Sequence, residues 1–199
     1  MKRSKWLVPG VIAGVVLVLV VMVVGGYNGL VNQREGVNSK FAALEGQYQR
    51  RADLVPNLVN TVKGAANFEQ ETLTQVTEAR AKATSVNIDP SKATPEQLAQ
   101  YQNSQGELSQ ALGRLLAVTE NYPQLTATQN FKDLQTQLEG TENRIAVARK
   151  DYNDAASSYN AHVQRFPSNI TAALFGFDKF SYFQAEKGAE NAPTVDFGN

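Results

Sequence analysis

The sequence predicts an all-α protein in which a single N-terminal transmembrane helix is followed by an antiparallel four-helix bundle of long, heptad-patterned helices. Three observations carry that prediction. The 19 residues from Trp6 to Val24 contain no charged or amide side chain. From Asn28 onward, apolar residues recur at alternating steps of three and four, the period of one helix face. Turn signals built from proline, threonine and asparagine fall between the periodic segments.

The apolar run comes first. As a helix its 19 residues rise about 28 Å, close to a hydrocarbon core of roughly 30 Å. A secretory signal has a shorter apolar region, about 7–15 residues, and exits at small residues. This run is longer and ends in Gly25-Gly26-Tyr27-Asn28, which predicts an uncleaved anchor in contact with membrane lipid over Trp6–Val24. Pro9 and Gly10 lie in its first turns, where a missing amide costs least, and Trp6 suits the headgroup level. Lys2, Arg3 and Lys5 precede the run, whereas only Arg34 and Lys40 follow closely. The positive-inside rule then places the N-terminus in the cytoplasm and the bundle outside it, on a single-pass protein of the cell (inner) membrane.

Four helices are expected after the anchor, at about 28–52, 54–84, 95–121 and 126–165. The first carries Tyr27, Leu30, Val37, Phe41, Leu44 and Tyr48 on one face; the second carries Val55, Val59, Val62, Ala66, Leu73, Val76 and Ala83. Leu98, Tyr101, Leu108, Leu112, Leu115 and Tyr122 mark the third. The longest seam runs Phe131, Leu138, Ile145, Tyr152, Tyr159, Phe166, interleaved with Leu134, Thr141, Ala148, Ala155 and His162. Thr94-Pro95-Glu96-Gln97 is a capping box with proline at the first helical position, and Thr126 with Gln129 repeats the arrangement. At Asp53–Pro56 two readings stand. Asp53 can cap a new helix whose first turn holds Pro56, or the first two helices run on through Pro56 and the bundle has three helices. The domain division is therefore 1–26 tip and anchor, 27–166 bundle, and 167–199 an aromatic-rich segment with a polar tail.

Composition narrows the chemistry. The chain has 199 residues, no cysteine and one histidine, so disulfides, thiolate nucleophiles and cysteine-ligated metals are excluded. Lysine and arginine number 19 against 19 aspartate and glutamate. Setting aside Lys2, Arg3 and Lys5 leaves 16 basic against 19 acidic groups, a mildly acidic bundle on a basic tip. No basic cluster suited to nucleic acid is present. No catalytic, cofactor-binding or metal-binding residues are assigned, and no cofactor is expected.

Polar residues do fall on the inward stripes or their edges: Arg34, Arg51, Glu69, Arg80, Gln105 and His162. The expected role is structural, as ion pairs or hydrogen bonds that fix register. The competing expectation is a hydrolase site using Glu69 with His162. Beyond Pro167, Phe175, Phe177, Phe180, Tyr182 and Phe183 crowd into nine residues. They are a candidate partner-binding surface or interfacial membrane contact, or else a plug over the bundle's open end. The favoured function is a non-enzymatic scaffold or adaptor that binds other envelope or membrane proteins. A lipid or small-ligand carrier using the bundle interior is the alternative. Self-association is compatible with the long helical faces.

Several separated strings agree in order with one known family: RRADLVPNLV, TEAR around Arg80, YPQLTATQNFKDL, TENRIAVARKDYN and FGFDKFSYFQ. From Tyr27 to about Gln184 the chain resembles the LemA family of bacterial membrane-anchored proteins. The resemblance implies one N-terminal transmembrane helix and a domain like a four-helix bundle. It brings no reaction and no catalytic residue with it. It also implies a short N-terminus outside the cell, opposite to the charge-based orientation.

Overall fold

The computed structural model describes residues 4–64 and 69–184, with side chains from residue 9 onward. Lys2, Arg3, Ala66, Phe197 and the rest of the polar tail lie outside the described residues, as do the side chains of Lys5 and Trp6. Six helices appear: α1 (Ser4–Lys63), α2 (Gln70–Ser85), α3 (Pro95–Thr119), the single turn α4 (Pro123–Thr126), α5 (Gln129–Gln164) and α6 (Ser168–Phe175). No strand occurs among the described residues.

The largest correction concerns α1. It is one helix of 60 residues, about 90 Å long, that runs from the apolar segment through Asp53 and Pro56 without a turn. Of the two readings at Asp53–Pro56 the helix that runs on through Pro56 is the one present, and the chain reverses between Lys63 and Gln70. Four long helices still pack together, because α2 begins later than expected and α1 supplies the first rod. Cross-helix pairs set their directions. Lys40 meets Asp151 and Arg51 meets Glu142, so α5 runs against α1. Lys82 meets Glu107 and Gln75 meets Arg114, so α3 runs against α2.

Two apolar clusters fill the bundle. The distal one unites Leu54, Val55, Leu58 and Val62 of α1 with Leu73 and Val76 of α2, Leu108 to Leu115 of α3, and Phe131 and Leu138 of α5. The proximal one joins Leu30, Val37, Phe41, Leu44 and Tyr48 of α1 to Ile145, Tyr152 and Tyr159 of α5. Here the α2–α3 hairpin contributes only its tip, through Leu98 and Tyr101 with Val86 and Ile88. Two helices alone leave a seam open to water, and the missing third side is supplied by the chain after α6, as shown below.

Capping corrects one boundary and fulfils another. Thr94 and Gln97 form the expected reciprocal box, Gln97 N–H donating to Thr94 Oγ1 at 3.2 Å and Thr94 N–H to Gln97 Oε1 at 2.9 Å. At the start of α5 the cap is Thr128, not Thr126: Phe131 N–H donates to Thr128 Oγ1. Residues 123–126 close a separate turn after Tyr122, which moves the start of α5 two residues on. The long seam also ends early. Phe131 to Tyr159 are buried as expected, but Phe166 lies beyond the last turn of α5 and is 79% exposed.

Candidate functional site

Between the two apolar clusters lies one polar layer, centred on Arg51. Its side chain is 1% exposed although it carries a guanidinium. Such a charge is costly inside a protein unless most of its donors are engaged; here both terminal nitrogens are, while the buried Nε has no partner among the described residues. Arg51 donates through one terminal nitrogen to Ser109 Oγ and to Glu142 Oε1 at 2.9 Å. Through the other it donates to Gln105 O at 3.0 Å and Gln105 Oε1 at 2.7 Å. Gln105 in turn donates from Nε2 to the Ala83 carbonyl at 3.0 Å. The layer therefore ties α1, α2, α3 and α5 at one level, and the guanidinium also sits 5.2 Å from the Tyr48 ring centre. A one-heptad slip of α1 or α3 would bring Leu44, Leu58, Leu98 or Leu112 to this level and break the layer.

The other polar seam residues do not join it. Arg80 donates from Nε to Ala52 O at 2.8 Å. Arg34 lies over the Phe177 ring, 5.2 Å from its centre. Glu69 accepts from Thr72 Oγ1 at the first turn of α2. His162 pairs with Ser168 Oγ at 3.1 Å, joining the end of α5 to α6. Following the pairings along α1, Glu69 lies level with Lys63 and His162 level with Gly29, roughly 50 Å apart. Proton transfer needs about 3 Å, so the Glu69–His162 hydrolase site has no geometry. Among the described residues no group of three or more His, Asp or Glu is placed to hold a metal.

The aromatic segment is also reassigned. Phe177, Phe180 and Phe183 are core residues at 6%, 4% and 4% exposure, while Phe175 and Tyr182 remain exposed at 53% and 46%. The segment is a strap laid along the bundle's side, not a plug over its end. Residues 177–184 run extended and antiparallel to α5, inserting a phenylalanine at every third position into the seam between α1 and α5. Phe177 meets Tyr27, Phe180 meets Tyr159, and Phe183 stacks with Phe41 and meets Tyr152 edge-on.

Two asparagines that sequence reasoning missed hold the strap. Asn160 donates to Phe180 O at 2.8 Å and accepts from Phe180 N–H at 2.9 Å. Asn153 does the same for Phe183, at 2.9 and 3.0 Å. Gln102 of α3 repeats the paired arrangement with Gln184, at 2.8 and 3.1 Å. Each side-chain amide thus replaces the neighbouring strand that an extended backbone requires. The spacing explains why two asparagines suffice: seven helical residues rise about 10.5 Å, and three extended residues span about 10 Å. The signal was the repeated Tyr-Asn pair, Tyr152-Asn153 and Tyr159-Asn160, seven residues apart. Tyr152 adds a bond from its hydroxyl to Ser181 O at 3.0 Å. Burial pushes the phenols of Tyr101 and Tyr152 above the usual tyrosine range, which keeps them neutral.

Two clefts stand out among the described residues. One overlies the Arg51 layer, beside Gln102, Gly106 and Gln184, and the other lies between Ala93–Pro95 and the strap. Both open to solvent and mix polar with apolar lining, unlike the enclosed apolar chamber that a lipid carrier uses.

An apolar N-terminal rod continuous with a strapped helical bundle defines a class of membrane-associated, all-helical proteins. The chain belongs to the LemA family, whose model matches residues 40–197. It is 32% identical to magnetosome protein MamQ 2 of Paramagnetospirillum magneticum over 85% of this chain and 68% of the relative. Identity to magnetosome protein MamQ of Magnetospirillum gryphiswaldense is 28% over the same shares. Protein LemA of Metamycoplasma hominis is 25% identical over 82% of this chain and 71% of its own length.

Proposed function

We propose that this LemA-family chain is a non-enzymatic, membrane-tethered scaffold whose bundle is held at a fixed height and angle for binding other membrane or envelope proteins. The observation that carries this reading is the continuity of α1. Side chains from Val11 to Val24 stand mostly half or more exposed, and the same helix supplies core residues from Leu30 to Val62. No linker separates the two parts. In this reading Trp6–Val24 crosses the bilayer, and the rod carries the Arg51 layer roughly 37 Å beyond Gly26. The cations at Lys2, Arg3 and Lys5 favour an inside N-terminus and an extracytoplasmic bundle.

Site-specific photo-crosslinking in intact membranes, with probes at exposed bundle positions such as Gln137 and Val147, tests the reading. Reproducible adducts to other membrane or envelope proteins are expected. Recovery of the chain alone at every position would overturn it. A reporter fused after Asn199 reads orientation, and extracytoplasmic activity is expected.

A further inference from the structure

We propose that α6 and the preceding Phe166 form a second membrane contact, a short interfacial helix resting in the headgroup region of the same bilayer that α1 crosses. The proposal rests on the reading of Trp6–Val24 as a membrane span. It is carried by where α6 is attached and by what it leaves uncovered.

The attachment is at the end of the apolar run. Thr171 packs against Gly26 so closely that a Cβ there would lie 3.0 Å from Thr171 Oγ1. One turn further on, the Phe175 ring meets Tyr27 at 5.0 Å. These contacts lie two to three residues past Val24, about 3–5 Å along the helix axis. The headgroup zone on each side of a bilayer is about 5–7 Å deep. With the span seated in the hydrocarbon, α6 is held at the level of that zone.

Its outer face suits that level. Thr171 and Ala172 are buried against the bundle, whereas Phe166, Ile170, Leu174 and Phe175 are 79%, 50%, 67% and 53% exposed. No charged residue occurs from Phe166 to Phe177, and the stretch is bounded by exposed Arg165 on one side and by the exposed pair Asp178-Lys179, of no net charge, on the other. In water such a patch is costly. Against lipid its apolar side chains enter the acyl boundary while Arg165 meets headgroup phosphates. Through the Phe175–Tyr27 contact the patch adjoins the end of the apolar run of α1, and this nearness to the span favours the bilayer over a protein partner or a second copy as its occupant.

Depth-dependent fluorescence quenching tests this on the full chain. Because the chain has no cysteine, Leu174→Cys, Val18→Cys and Gln137→Cys each give one labelling site for a polarity-sensitive dye. The labelled proteins are reconstituted at low density in phosphatidylcholine–phosphatidylglycerol vesicles with a nitroxide quencher placed shallow or deep in the lipid. At Leu174 the shallow quencher is expected to act several-fold more strongly than at Gln137, and at Val18 the deep quencher is expected to dominate. If Leu174 behaves like Gln137 while Val18 is quenched, the interfacial contact is wrong and the span stands. Absence of quenching at Val18 overturns the span, and Leu174 then decides α6 separately. A Leu174 label shielded only at high protein density identifies a second copy as the occupant and overturns the lipid assignment.

Discussion

Arg80 of α2 donates to the Ala52 carbonyl of α1, and this is the carbonyl that Pro56, four residues on, has no amide to satisfy. A proline inside a helix normally leaves that acceptor unpaired and bends or ends the helix. Here a side chain from the neighbouring helix takes the place of the missing amide. Ala52 is 2% exposed, so water is a poor substitute.

The two residues should therefore be energetically coupled. Arg80→Met in the native background strands a buried acceptor and is expected to cost about 1–3 kcal/mol. In a Pro56→Ala background the restored amide engages Ala52 O, and the same substitution should cost markedly less. A double-mutant cycle by chemical unfolding of the full chain in detergent measures this. Equal costs in both backgrounds would show that Arg80 does not compensate for Pro56.

Substitutions in the polar layer should be asymmetric. Glu142→Leu leaves a guanidinium that is 1% exposed without its counter-charge, and an effect of about 3 kcal/mol or more is expected. Arg51→Met leaves a carboxylate that is 40% exposed and can turn to water, for a smaller loss of about 1–3 kcal/mol. Denaturant midpoints of the two variants give the order, and the double variant should recover part of the Glu142→Leu loss.

The strap should loosen one clamp at a time. Asn160→Ala removes both bonds to Phe180, and Asn153→Ala both bonds to Phe183. Hydrogen exchange across 177–184 should accelerate in each variant while α2 and α3 stay protected. Each change is expected to cost about 1–3 kcal/mol. Unchanged exchange would mean that the phenylalanines alone hold the strap.

Glu45 provides a pH test. Burial raises its carboxyl above the usual glutamate value, so the folded state disfavours the charged form. The favourable contribution of the neutral acid is complete below the unfolded value of about 4.5 and is lost as pH rises through the higher folded value. Glu45→Gln should therefore raise the melting temperature slightly at pH 7–8, with the gain disappearing near pH 4. A gain that persisted at pH 4 would have to come from something other than ionisation.

Much of this architecture is legible in the sequence because it repeats. The stripe from Leu30 to Val62 and the seam from Phe131 to Tyr159 are periodic, and burial follows the period. The capping box at Thr94 is local and equally readable. The position of the first reversal is not, since Asp53-Leu54-Val55-Pro56 fits a helix start as well as a helix interior. What decides is Arg80, 28 residues beyond the Ala52 whose carbonyl it meets. Arg51 and Gln105 stand out as polar residues on apolar stripes, yet only the fold brings them together. The strap is not legible in the sequence, because crowded rings fit an exposed surface and an end plug equally well. Their spacing of three in Phe177, Phe180 and Phe183 carries meaning only beside Asn153 and Asn160 on another element.

One distance reads the continuity of α1. Spin labels at Asn28→Cys and Asn60→Cys, both exposed positions in a chain without other cysteines, can be measured by pulsed electron paramagnetic resonance in reconstituted membranes. An unbroken helix places the two backbone sites about 48 Å apart. A single population near that distance is predicted. A population near 30 Å would mean that the chain turns back at Asp53, and would contradict the rigid rod on which the account depends.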